Sequence, residues 1–264
     1  MFLRFLRTKG KVAPSVDIDA YLSRIGYSGP RTCTVETLHA LHRAHMFTVP
    51  FENLDIHRQQ EIVLDESRLF EKIVRQRRGG FCYELNGLFA ALLRELHFPV
   101  TRLSARVYDA GTPGPEYDHM TLLVQLDDRW IADVGFGDSF IDPLRLDEPG
   151  EQHQRGIGYR IGREGEAWKL MERRPDAEWK ILYQFDLRPC QLEEYADMCR
   201  WHQTSTGSHF TQKRICSLAT PSGRVTLSGM KLIVTENGER RDQMISSEDE
   251  YSTALKNHFG ITLR

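Results

Sequence analysis

Cys82 sits in the run Arg78-Gly79-Gly80-Phe81-Cys82-Tyr83-Glu84-Leu85-Asn86, where two glycines stop one helical pattern and the cysteine opens the next. From there Leu85, Leu88, Phe89, Leu92, Leu93 and Leu96 recur at helical spacing, which predicts the thiol in or just before a first turn. At that place unpaired backbone N–H groups and the positive end of the helix dipole favour thiolate, lowering a pKa of about 8.5 in a free cysteine. The same groups offer donors to an oxyanion. A lone cysteine is more often a small buried hydrophobe, but a core thiol needs neither a Gly-Gly step nor a helix start. Cys33, Cys190, Cys199 and Cys216 stand apart, with no C-x-x-C pair and no histidine at ligand spacing. They read as packing or surface thiols, and no metal site is expected.

A cysteine nucleophile calls for a base, and the base for an orienting group. His39, His42 and His45 lie on one predicted helix as a partly exposed stripe. His119 opens a predicted strand directly after the turn-rich stretch 111–118, which places it at a rim. Asp133 is embedded in the apolar run Trp130-Ile131-Ala132-Asp133-Val134, where a carboxylate needs a partner. A hairpin turning near Asp127-Asp128 joins the two, but its simple register sets His119 opposite Phe136 or Gly137. Asp133 is then roughly 10–13 Å away along the strand. A bulge, or departure of one residue into a loop, is required for contact, and spacing alone leaves the grouping of Cys82, His119 and Asp133 open.

The elements that must hold these residues change type along the chain. Asp17, Thr34 and Asp65 can cap helices running to Ile25, to about Phe47 and up to Gly79, and the Cys82 helix is the fourth. After Pro99, period-two segments follow at 100–108, 119–126, 129–134, 159–163, 168–172 and 179–186, which predicts an antiparallel sheet or small barrel. A helix over 191–201, strands near 215–218, 225–227 and 231–234, and a capped helix over 247–259 complete the pattern.

The chain has 264 residues, 40% of them hydrophobic, enough to bury a sizeable core. Its net charge of −2 gives no general attraction to nucleic acid or an anionic membrane. Arg75, Arg77 and Arg78 read as a solvated helix end. The first eleven residues mix Phe and Leu with Arg and Lys and lack a secretory apolar core, and no stretch approaches the roughly 20 apolar residues of a span. The five cysteines suit a reducing compartment, so the expectation is a cytoplasmic protein with a short basic extension.

Four motifs together, Val49-Pro50-Phe51-Glu52-Asn53-Leu54, the run around Cys82, His119-Met120-Thr121-Leu122-Leu123-Val124 and Asp133-Val134-Gly135-Phe136-Gly137, resemble the arylamine N-acetyltransferases. The resemblance covers essentially residues 15–264 and is strongest up to about Pro143. It implies an α+β fold: an N-terminal helical bundle (15–99, after a basic extension 1–14), a central antiparallel β-barrel (100–203) and a C-terminal α/β lid (204–264), around a cysteine-protease-like core. It also implies a catalytic triad of Cys82, His119 and Asp133, with Phe51 and Phe136 beside the acceptor. Acetyl-CoA would be the donor, and aromatic amines, hydrazines or aryl hydroxylamines the acceptors, in a ping-pong reaction of xenobiotic metabolism. The segment holding Thr204, Ser205 and Ser208 resembles one near the coenzyme; Gly114-Pro115-Glu116-Tyr117-Asp118 departs from its relatives' small-residue turn by two acidic residues. The competing readings are a Cys-His-Asp hydrolase or transglutaminase-like enzyme, and a noncatalytic interaction protein of the same fold.

Overall fold

Side-chain caps start the helices where the sequence places them. The computed structural model describes residues 16–263, so the basic extension 1–14 lies outside the described residues. Asp17 accepts the Ala20 N–H at 3.0 Å and opens α1 (Ile18–Arg24); Thr34 accepts the Thr37 N–H at 3.3 Å and opens α2 (Val35–Thr48). Pro50 follows, and the chain then forms a two-residue strand, β1 (Phe51–Glu52), and a single turn, α3 (Leu54–His57). Asp65 caps α4 (Glu66–Phe70). The one helix expected from Asp65 to Gly79 is instead interrupted, passing into a π-helical turn over Glu71–Arg75. That wider turn keeps Ile73 and Val74 buried while Lys72 reaches inward to Asp55 and Glu84. In α5 (Cys82–Glu95) every residue from Cys82 to Leu93 is buried. It is the central helix of the molecule, apolar on all sides except where Glu84 and Asn86 find polar partners.

The barrel consists of β2 (Val100–Asp109), β3 (Thr112–Pro113), β4 (His119–Gln125), β5 (Arg129–Ala132), β6 (Leu144–Arg145), β7 (Gln152–Gln154), β8 (Ile157–Glu164), β9 (Ala167–Arg173) and β10 (Lys180–Cys190). The order is β6-β5-β4-β2-β10-β9-β8-β7, antiparallel throughout, with β3 added to β2. Side chains bring the two edges together. Gln152 accepts the Arg145 N–H at 2.8 Å and donates to the Arg145 carbonyl at 2.9 Å, so the sheet is nearly closed without a backbone ladder at the seam.

A 3-10 turn (Leu192–Tyr195), α6 (Ala196–Thr204) and α7 (His209–Gln212) connect the barrel to a second antiparallel sheet. Its strands are β11 (Ile215–Thr220), β12 (Gly223–Ser228), β13 (Lys231–Glu236) and β14 (Glu239–Met244). Helix α8 (Glu248–Phe259) packs on it and ends at Gly260, whose φ of +67° is the left-handed conformation that glycine adopts freely. The architecture is α+β, as the sequence implied. The sheet order β1-β11-β12-β13-β14 also draws β1 out of the helical part, so one element crosses the expected partition at residue 99.

Two expectations about polar residues are overturned. His42 and His45 are fully buried rather than part of an exposed stripe, because α2 packs both rings against Phe89 of the central helix. Arg78 is only 5% exposed and is not a solvated helix end; carboxylates hold it, as described next.

Candidate functional site

The glycines before Cys82 answer to close backbone approach. A Cβ on Gly79 would sit 2.0 Å from the Pro50 carbonyl oxygen, and one on Gly80 would sit 2.7 Å from the Glu84 carboxylate. This stretch runs beside β1, the Glu52 N–H donating to the Gly80 carbonyl at 2.8 Å. Phe51 is thereby fixed near the start of α5. Glu84 accepts the Phe81 N–H at 3.1 Å and so caps the helix that carries Cys82. Its other oxygen accepts from Lys72 at 2.7 Å; Lys72 also pairs with Asp55 at 2.8 Å. Arg78 joins the group through Glu52 at 2.7 Å and Asp55 at 2.8 Å.

Across from the helix start, β4 and β5 pair as Leu122↔Ala132, Leu123↔Ile131 and Val124↔Trp130. Extended, that register would set His119 opposite Gly135, not Phe136 or Gly137. The ladder stops at Ala132, and Asp133 leaves the strand, which is the departure that contact requires. His119 Nε2 lies 2.6 Å from Asp133 Oδ2. The Tyr183 hydroxyl donates to the same oxygen at 3.0 Å, and Thr121 lies 3.2 Å from that hydroxyl. Asp133 Oδ1 accepts from Asn86 at 2.8 Å and from the Gly135 N–H at 3.0 Å.

Asn86 lies one turn after Cys82 and joins helix to sheet. Besides Asp133 it donates to the Met120 carbonyl at 2.6 Å and accepts the Val134 N–H at 2.9 Å. Gly135 lies directly on the helix: an added Cβ would stand 2.8 Å from both the Cys82 Cα and Asn86 Nδ2. Behind Asp133, His42 Nε2 accepts the Asp133 N–H at 3.0 Å and its Nδ1 donates to the Ile141 carbonyl at 2.7 Å. Those partners require the neutral ring, and burial holds the His42 pKa down at about 4. Sequence reasoning gave no role to Asn86, Tyr183 or His42. Only Asn86 carried a signal, a polar residue on the apolar face of the helix, four positions after the cysteine.

Cys82 is 3% exposed, and its electrostatics run against the expected depression. Burial, then the charges of Asp118, Cys199 and Asp133, push the thiol well above its ordinary range, while the Met120 N–H pulls it down. A thiolate in this place needs a cation beside it. Burial alone would also raise Asp133, but the His119 charge with the hydrogen bonds from His119, Asn86 and Gly135 outweighs it, and this carboxyl lies below its usual range. Asp133 is therefore an anion ready to hold an imidazolium, and its claim on Nε2 leaves Nδ1 as the nitrogen for proton exchange.

Aromatic rings surround the cluster. Phe136 stands edge-on to His119 at 5.2 Å between centroids and also lines a cavity of about 430 Å³ with Asp138, Arg174 and Lys180. Phe51 is half-buried against Gly137 and Phe210. A second cavity, about 490 Å³, lies between residues 56–64 and α6, with Cys199 and Thr204 in its wall. Of the three hydroxyls considered for coenzyme contacts, that of Thr204 is exposed and that of Ser205 half-exposed. Ser208 is buried, its oxygen occupied by the Phe210 N–H at 3.2 Å and His202 at 3.2 Å. In the acidic turn Glu116 lies 3.4 Å from Arg188, and Asp118 lies 3.2 Å from the buried His202 Nε2, which makes no hydrogen bond. No group of three or more His, Cys, Asp or Glu among the described residues is arranged to hold a metal ion, and no helix among them is long and apolar enough to cross a membrane.

Comparison with known proteins points to one family and one fold. A family model described as N-acetyltransferase matches residues 34–264. An arylamine N-acetyltransferase of Escherichia coli is 37% identical over 230 residues, covering 86% of this chain and 82% of its own. Among solved structures, the arylamine N-acetyltransferase of Salmonella typhimurium superposes with a TM-score of 0.86 at 35% identity, covering 92% of this chain and 90% of its own. That of Mycobacterium marinum in complex with CoA gives 0.85 at 30% identity, covering 93% of each chain.

Proposed function

The chain belongs to the arylamine N-acetyltransferase family, and from that premise we propose that it moves an acetyl group from acetyl-CoA to the nitrogen of an aromatic amine, hydrazine or aryl hydroxylamine through an acetyl-Cys82 intermediate. The observation that carries the reading is the buried hydrogen-bonded path from the Cys82 helix through Asn86 to Asp133 and His119. The CoA complex of the Mycobacterium marinum relative supports the donor.

In the first half-reaction His119 Nδ1 takes the thiol proton and the Cys82 sulfur attacks the thioester carbonyl carbon. Backbone N–H groups of the first helical turn face the developing oxyanion. The C–S bond to coenzyme A breaks, and the imidazolium returns its proton to the departing thiolate. In the second, the amine nitrogen attacks the acetyl-cysteine carbonyl while His119 takes the nitrogen's proton, and the proton returns to Cys82 as the amide leaves. Asp133 fixes the ring and stabilises its charge in both halves. Phe51 and Phe136 offer the acceptor two flat apolar walls. Thr204 and Ser205 would contact coenzyme A, and Ser208 would shape their loop by capping α7. The free thiols suit a reducing compartment, so the proposed setting is the cytoplasm, acting on xenobiotic amines.

Initial rates with acetyl-CoA and an aniline varied together test the scheme. Parallel double-reciprocal lines are expected, and Phe136→Ala should raise the KM for the aniline several-fold with little change in the acetylation half-reaction. Intersecting lines would mean transfer within a ternary complex and would overturn the covalent route.

A further inference from the structure

Two pairs of histidine with carboxylate flank Cys82, and the chemistry proposed above uses one. The other is His202 with Asp118. His202, on α6, is 6% exposed. Its Nε2 lies 3.2 Å from Asp118 Oδ1, and its Nδ1 lies 3.2 Å from the Ser208 oxygen. Its ring stands edge-on to Phe81 at 6.5 Å and tilted against Tyr83 at 6.0 Å, the two residues that bracket Cys82. Asp118 directly precedes His119 and is tied to the same helix start, because the Tyr83 hydroxyl donates to the carbonyls of Tyr117 and Asp118 at 2.7 and 3.1 Å. The other Asp118 oxygen accepts the Val107 N–H at 3.3 Å, which fixes the carboxylate in place.

We propose that His202 is a positioning residue for the cysteine chemistry: its buried Nε2, at ion-pair distance from the Asp118 carboxylate and without a hydrogen bond of its own, is placed to offset that charge as a cation, so that negative charge can form on Cys82. The proposal rests on Cys82 being the nucleophile. Asp118 and Asp133 both oppose a thiolate at Cys82. Asp133 has three donors besides His119 to absorb its charge, whereas the ionisable partner facing Asp118 is His202. The titratable groups that bear on Cys82 are Asp118 just before β4, Asp133 after β5 with His119 paired to it, Cys199 on α6 and Tyr83 on its own helix. Around His202 they are Asp118 and Tyr83, with Glu84 and Lys72 further back beside Cys199.

The test is the pH dependence of iodoacetamide alkylation at Cys82, followed by peptide mapping in wild type, His202→Gln, Asp118→Asn and the double variant, with a melting temperature for each. His202→Gln should move the inflection upward by about half a pH unit or more, roughly a threefold loss of reactive thiol at neutral pH. Asp118→Asn should move it downward. The double variant should follow Asp118→Asn, because without the carboxylate the imidazole has nothing to offset. An unmoved inflection in either single variant, or the same shift from His202→Gln in both backgrounds, overturns the proposal; so does a lowered melting temperature with an unchanged inflection. Wild type mixed with acetyl-CoA in parallel separates the two claims. No acetyl group on Cys82 there sinks the nucleophile reading, while the alkylation cycle judges His202.

Discussion

All four hydrogen bonds on the Asp133 carboxylate come from donors: the His119 ring, the Tyr183 hydroxyl, the Asn86 amide and the Gly135 N–H. An amide in its place would turn an NH2 toward two of them. Asp133→Asn should therefore lose most turnover and also cost about 1–3 kcal/mol in stability, from donors left without an acceptor in a buried site. Urea unfolding beside turnover checks both, and a variant with wild-type stability and activity would remove Asp133 from the mechanism. Cys82 and Asp133 were legible as residues in places where their chemistry is conspicuous, a helix start and an apolar strand. Their partners were not. Tyr183 comes from β10, far along the chain, and His42 is on a helix whose three histidines give a polar pattern although two of them are buried.

At the scale of elements, the cap of the Cys82 helix is itself ionisable. Glu84 is buried, and burial together with repulsion from Glu52 and Asp55 outweighs Lys72, so its carboxyl is pushed up to about 7 from an ordinary 4.5. Between those two values the folded protein binds the extra proton and the unfolded chain does not, so this group's contribution to stability falls as pH rises from about 4.5 to 7. The stability difference between wild type and Glu84→Gln should change steadily across that window and level off above it, as urea unfolding at several pH values would show. A difference independent of pH would mean that Glu84 is ionised throughout. Capped helices and alternating strands were largely legible, because their signals are local. The π-helical turn was not, since Lys72 is drawn inward by carboxylates at Asp55 and Glu84. Strand β14 was also missed: Glu239-Arg240-Arg241-Asp242 is an exposed, charged edge with no apolar alternation.

Across the whole molecule, the three parts meet at the cysteine. The apolar cluster around Cys82 draws Phe81 and Tyr83 from the central helix, Met120 from the barrel, and Tyr195 and Cys199 from the connecting helices. Asn53 ties the C-terminal sheet to it, accepting the Ile215 N–H at 2.7 Å and donating to the carbonyls of Phe210 and Lys213 at 2.9 and 2.8 Å. The three-part plan was legible from the change of period along the chain and from the resemblance, but pairing of β1 with β11 was not, because two residues carry no periodicity. The proposed reaction requires this buried thiol to form a covalent bond to the donor's acyl group before any acceptor arrives. Intact mass spectrometry of the protein mixed with acetyl-CoA alone and quenched in acid tests that directly. One added acetyl group, mapped to Cys82, removed on adding an aromatic amine and missing from a folded Cys82→Ala protein, is the predicted result. Turnover of the amine by wild type with no acetyl group ever found on Cys82 would contradict the account.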